Sequence, residues 1–423
     1  MLLSENSGEI IKLILPKFKE CITHQNKNKV SFNKLLIKIH NDIIEGDKFV
    51  QYKLETGCMN ATLKLLTKEE TKKPRIYTNR FFPEHIREYI EKNGKYQLIY
   101  RCVINGREIT IYFTLFSENN LGLSDKYENY ARMMYTWLYI CDLHSLKKCA
   151  NTLSVYIYQT PFKKELPSKT TTMLSANNVN TAATLHCAVD GEIVIYRQEE
   201  WFKVFIHETF HSYGLDFGGF QSTNLKAQVK KIFPIQSDFI IEESYAETWA
   251  RIINCGFVSY SSMEKKTDKK EFLMYMDFCL QNERLFALYQ CNKVLQFMGL
   301  SYEDIYKTDE ISVYLRKNLY REDTNVFAYY VLTGILMNDY YKFMKWCDIN
   351  NIVFLRFNTT EKNMKNFGDL ISALYKSDKM LSGIKCISKV INNKVCNNKG
   401  QTTPDLDIKW IGSTTRMSCI EIR

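Results

Sequence analysis

The residues best placed to do chemistry are His207, Glu208, Thr209, Phe210 and His211, read as HETFH. On a helix, positions i and i+4 lie on one face about one turn apart. Two imidazoles so placed can bind one Zn2+, and the glutamate between them can reach a water on the metal. The chain has only 7 histidines in 423 residues, so the motif does not arise from histidine richness. Trp201, Phe202, Phe205, Ile206 and Phe210 make the surrounding stretch apolar. A pair of surface histidines is the plainer reading. The apolar context argues against it, because polar side chains inside such a stretch must face a cavity or a metal.

A third ligand has to come from elsewhere, since no histidine follows His211. The motif continues to Gly214, as it does in metzincins (HExxHxxGxxH), but the position of the third histidine there is Phe217. Asp216, one residue out of that register, is a candidate carboxylate. Downstream, EESYAETWA offers Glu242, Glu243 and Glu247. Glu243 and Glu247 share a helix face, and Glu242 is turned roughly 100° from Glu243.

At these residues the chain resembles the gluzincin metallopeptidases, which pair HExxH with a glutamate on a later helix, often followed four residues on by an acidic residue. Glu243-Ser244-Tyr245-Ala246-Glu247 has that form, with Glu in place of the usual Asp. The resemblance implies one Zn2+ per chain on His207, His211 and Glu243, with the fourth position open. It implies Glu208 as the general base of peptide hydrolysis, and Glu247 as acceptor of a hydrogen bond from a ligand histidine. It also implies a sheet-edge strand beside the active-site helix on which a peptide substrate pairs; Asn180, Thr181, Ala182 and Ala183 are matched to it. Related enzymes stabilise the oxyanion with a Tyr or His from the C-terminal subdomain. No His is available there, so Tyr329 and Tyr330 are the candidates, with Tyr330 taken as the catalytic one and core packing as its plainer role. The GxMEN signature of aminopeptidase-type gluzincins is absent, which points to an endopeptidase. The resemblance covers about residues 150–250. The rest of the chain has only a general resemblance to proteins of large DNA viruses, implying a viral protein and a virion as one place it could be carried.

The elements that must position these residues are legible in part. Residues 96–104 and 108–116 are rich in β-branched and aromatic types and flank Asn105-Gly106, a two-residue hairpin signal. Strands are also expected over 152–158, 180–188 and 192–197, with a turn at Asp190-Gly191, before the HETFH helix at 198–214. Helices are expected over 32–44, 83–92, 124–143, 242–254, 269–298, 301–307 and 326–346. Residues 51–77 and the tail beyond 358 give no clear pattern. The expected fold is α+β: a zincin-like mixed sheet with the active-site helix, then a mainly helical C-terminal subdomain. The parts are an N-terminal α+β region (1–150) whose hairpin joins the sheet, a catalytic core (151–260) and a helical C-terminal region (261–423).

Composition narrows the rest. With 45% apolar, 25% charged and 13% aromatic residues, the chain has material for a large core and is neither disordered nor collagen-like. A net charge of +10 over this length is a mild basic bias, and without a zinc knuckle or phosphate loop no nucleic-acid partner is expected. The 13 scattered cysteines contain no C-x-x-C pair and read as mostly reduced thiols of a reducing intracellular compartment. No run approaches a membrane span, so no membrane partner is expected. The expected partner is a peptide or protein substrate of a zinc metallopeptidase. The alternative is a non-catalytic structural or binding protein keeping a zincin fold, against which the intact Glu208 argues.

Overall fold

A computed structural model describes residues 3–18, 29–66, 73–117, 122, 124–397 and 406–422. Two helices, α1 (Glu5–Phe18) and α2 (Lys29–Glu55), lead to β1 (Asn60–Leu65), a 3-10 turn (Arg75–Thr78) and α3 (Glu84–Asn93). β2 (Tyr96–Ile104) and β3 (Arg107–Leu115) follow as a hairpin. Its turn residues Asn105 and Gly106 both take positive φ, 48° and 88°, which is why Asn-Gly occupies them. After α4 (Ser124–His144) come β4 (Thr152–Thr160), the one-turn α5 (Ala176–Val179), β5 (Ala182–Thr184) and β6 (Asp190–Arg197). β6 leads into α6 (Trp201–Ser212), which carries HETFH.

All six strands form one mixed sheet in the order β1-β2-β3-β4-β6-β5. β3, β4 and β6 run parallel, the other neighbours antiparallel. The hairpin region therefore joins the same sheet as the strands before the HETFH helix. Alternation along each strand sends side chains to two faces. On one face Ile109, Ile111, Leu153, Val155, Ile193 and Ile195 meet the helices in the main core. On the other, Ile99, Tyr112, Tyr156 and Val194 pack under Phe82, Ile86 and Ile90 of the α3 region. β5 is an edge strand, as expected, but spans only Ala182–Thr184 of the expected 180–188.

Beyond α6 the chain is helical: α7 (Thr223–Ile232), α8 (Glu242–Ser262), α9 (Lys269–Phe297), α10 (Glu310–Leu319), a π turn (Phe327–Leu332) continuing into α11 (Thr333–Asn338), α12 (Tyr340–Asn350), α13 (Glu361–Leu374), α14 (Asp378–Asn397) and α15 (Leu406–Ser413). Helix makes up 56% of this α+β fold. Two expectations need correction. Residues 301–307 form turns rather than a helix, since Asp304 Oδ2 takes the Ser301 backbone N–H at 2.7 Å. Residues 326–346 are not one helix: the chain bends at Asp339 (φ −128°, ψ 55°) between α11 and α12. α1, β1, α5, α7, α10, α13, α14 and α15 were not anticipated. No helix among the described residues is long and apolar enough to cross a membrane.

Residues 414–422, after α15, run through the interior rather than over the surface. Thr414 to Ser418 are almost fully buried. Met417 N–H reaches Glu200 Oε1 at 3.0 Å, and the N–H groups of Cys419 and Ile420 both reach Glu283 Oε1 at 2.8 Å. At the same end, Ser4 N–H donates to the Glu421 carbonyl at 2.9 Å, and Leu3 bridges Ile422.

Candidate metal centre

α6 and α8 pack side by side, and each presents a row of polar residues at spacing four: Lys203, His207 and His211 on α6, Glu243, Glu247 and Arg251 on α8. The rows interlock. His207 Nε2 lies 3.1 Å from His211 Nε2 and 3.0 Å from Glu243 Oε2; His211 Nε2 lies 3.3 Å from the same oxygen. One step along, Lys203 Nζ is 2.9 Å from both oxygens of Glu247, whose Oε1 also takes Arg251 Nε at 3.0 Å.

Behind each imidazole stands a carboxylate. His207 Nδ1 is 3.2 Å from Glu247 Oε2, and His211 Nδ1 donates to Asp216 Oδ2. A carboxylate facing Nδ1 keeps a proton there and leaves Nε2 as an acceptor. Three potential acceptor atoms then converge within 3.0–3.3 Å of one another, an arrangement that a shared cation, proton or metal ion, satisfies. Zn–N and Zn–O bonds of about 2.0–2.1 Å in a tetrahedron place ligand atoms roughly 3.3 Å apart, so the donor set fits this ion in both chemistry and spacing. His207, His211 and Glu243 are the one such cluster among the described residues.

With no metal bound, the carboxylates draw a proton onto the imidazoles instead. Burial opposes charge on both rings, yet Glu243 with Glu247 raises the pKa of His207, and Glu243 with Asp216 raises that of His211 well above the usual imidazole value. Burial would raise Glu243 and Asp216 as well. His211 and His207 instead hold Glu243 far below the carboxylate range, and His211 with His186 holds Asp216 at about 2. Glu208 differs: burial raises its pKa, and His207 and His211 only partly oppose this.

Asp216 owes its place to the end of α6. Gly214 (φ 62°) follows the helix, with Leu215 N–H on the Phe210 carbonyl (2.9 Å) and Gly214 N–H on that of His211 (3.1 Å). This glycine-dependent termination reverses the chain and returns Asp216 beneath His211. The other oxygen of Asp216 meets His186 Nε2 at 3.0 Å. Gly218 lies so close to the His186 ring that a Cβ there would stand 2.5 Å from it. A disulfide, Cys149–Cys187, packs against Gly214, and Cys187 N–H donates to the His211 carbonyl at 3.0 Å. These two cysteines, like Cys386, are disulfide-bonded, whereas the chain's cysteines were expected to be mostly reduced; eight others among the described residues are in no disulfide.

The His207–His211–Glu243 triangle opens into a cleft of about 230 Å3. Glu208 lines it beside His207 and His211, as do Asn180, Ala182, Ala183 and Thr184 at the β5 edge and Tyr329 and Asn325 opposite. Thr181 instead lines the small cavity behind His207 and Glu208. Leu185 N–H to the Glu192 carbonyl and Tyr196 N–H to that of Thr181 fix the β5–β6 ladder. Ladder alternation then turns the backbone N–H and C=O of Ala182 and Thr184 away from β6.

Tyr330, the tyrosine expected in the site, is not in the cleft. Its hydroxyl donates to the Thr415 carbonyl at 2.6 Å in the core. The π turn gives the cleft position to Tyr329, whose ring centroid is 5.9 Å from that of His207. Burial and the charges of Glu243 and Glu208 hold its hydroxyl well above the usual phenol pKa, so it stays a donor. Asp216 stands behind His211, and the third position of the triangle belongs to Glu243. Lys203, Arg251, Asn325 and His186 were not singled out from sequence. Lys203 and Arg251 carried a usable signal, each four residues from a site residue on the same helix. Compared with known proteins, the chain matches no family model, no curated protein and no solved structure.

Proposed function

We propose that the protein is a zinc-dependent peptidase of gluzincin type, with His207, His211 and Glu243 as ligands and Glu208 as general base. The convergence of three potential acceptor atoms, each imidazole backed by its own carboxylate, carries this reading. A zinc ion held there supplies a Lewis acid that polarises a carbonyl and acidifies water. The Glu208 carboxylate, its pKa lifted by burial, accepts a proton from the attacking water and returns it to the leaving amine. The Tyr329 hydroxyl donates to the oxygen on which negative charge develops. The outward backbone groups of Ala182 and Thr184 hold an extended peptide by strand addition, and the small side chains at 182 and 183 leave it room.

The test is Glu208→Gln, which keeps size and helix and touches no ligand. Zinc content and melting temperature should match wild type. Cleavage of a peptide library, read by mass spectrometry, should fall by ~10^2–10^4-fold or more. Undiminished cleavage in the variant would assign the activity to something else. Zinc-loaded wild type that cleaves no peptide would favour the non-catalytic alternative.

A further inference from the structure

The cleft contains a carboxylate that hydrolysis does not use. Glu208, Glu242 and Glu243 all line it, and no lysine or arginine does among the described residues. Glu243 belongs to the ligand triangle and Glu208 to proton transfer. Glu242 opens α8 on the cleft side, half-buried, and no side chain among the described residues donates to it or pairs with it. Two residues before it, Ile240 lines the same wall and is 39% exposed, one of the larger apolar side chains left uncovered. Gly219 lines the cleft beside them and adds no side chain to the space.

An apolar stem site followed by an unpaired carboxylate suits a long side chain with a cationic tip, because lysine and arginine cover apolar surface with their methylenes while the head seeks a charge partner. We propose that Glu242 with Ile240 forms a specificity pocket for a lysine or arginine side chain flanking the bond to be cut. This rests on the peptidase reading and adds a substrate class to it. A peptide with Asp or Glu at that position would set a second carboxylate against Glu242, so the pocket also disfavours acidic residues.

Two measurements test it, one of them independent of turnover. In the first, zinc-loaded Glu208→Gln protein is titrated with fluorescent peptides that differ only in bearing Lys, norleucine or Glu at one position. Lys peptides should bind about 10–100-fold more tightly than norleucine peptides, and Glu peptides least. Adding Glu242→Gln should erase the Lys preference, and adding Glu242→Lys should reverse it toward Glu, with zinc content and melting temperature unchanged. In the second, the wild-type cleavage library is sorted by residues around each cut. Wild type that cleaves with no basic preference, or a preference that survives Glu242→Lys, would overturn the pocket and leave the peptidase reading standing. No binding and no cleavage of any peptide would remove both.

Discussion

His207 and His211 are backed by carboxylates that stand outside the proposed metal position. Glu247 lies 3.2 Å from Nδ1 of the first and is itself held by Lys203 and Arg251; Asp216 accepts from Nδ1 of the second. Removing a ligand and removing its support should therefore differ in degree. His211→Ala and Glu243→Ala should lose most of the zinc, measured by competition with a chromogenic chelator. Asp216→Asn should weaken binding by about 10–100-fold, the usual cost of losing the group that orients a ligand imidazole. Glu242→Ala should keep full affinity, since it stands outside the triangle. Full zinc binding by Glu243→Ala alongside its loss in Glu242→Ala would refute the ligand set.

Among the elements, β5 carries the most specific consequence. Its outward N–H at Ala182 has no partner in the β5–β6 ladder, so a proline is tolerated there as it is on edge strands. Ala182→Pro should leave the fold and zinc content intact while removing one donor to a strand-added peptide. The expected effect is a drop of about 3–10-fold in kcat/KM, the worth of one hydrogen bond; an unchanged value would mean that peptides do not pair with this edge. The HETFH helix and the Asn-Gly hairpin were readable because each follows from local spacing or turn chemistry; the edge position of residues 182–184 was implied only by the gluzincin resemblance. The pairing of α6 with α8 was half readable. His207 with His211, and Glu243 with Glu247, stand out as repeats at four, but extending both rows to Lys203 and Arg251 requires knowing that the two helices touch. Tyr329 was not readable over Tyr330, because a π turn shifts the face by an amount that no helical period predicts.

Across the whole molecule, the centre leans on a band of buried charge that joins the α6 region to residues 414–422. Glu200 pairs with Lys164, lies 4.0 Å from Lys203 Nζ and accepts backbone N–H groups of Met417 and Ser418. Burial alone would raise its pKa, yet Lys164, Lys203 and Arg416 bring it down to about 2. Unfolded, the same group titrates near ~4.3. A depressed folded pKa stabilises above the unfolded value and loses that contribution as pH falls, here between about 4.3 and 2. Thermal melts from pH 7 to 2 should show wild type losing stability through this window. Glu200→Gln should be destabilised at pH 7, by about 3–5 kcal/mol for breaking a buried pair from one side, and should fall less steeply below pH 5. Parallel curves would show that Glu200 is not the group responsible.

The same band sets an order of events for a chain made from one end. Synthesis exposes α6 and α8 to solvent long before residues 417–420 exist, and domains begin to fold as they emerge. Until those residues arrive, Glu200 and Glu283 lack their backbone donors and stay hydrated, so the inner side of α6 cannot be sealed from water. Contacts that span nearly the whole chain, such as Leu3 with Ile422, are also the slowest to close. The nascent protein thus displays the HETFH residues early but encloses them late, once a segment more than two hundred residues further along the chain has arrived.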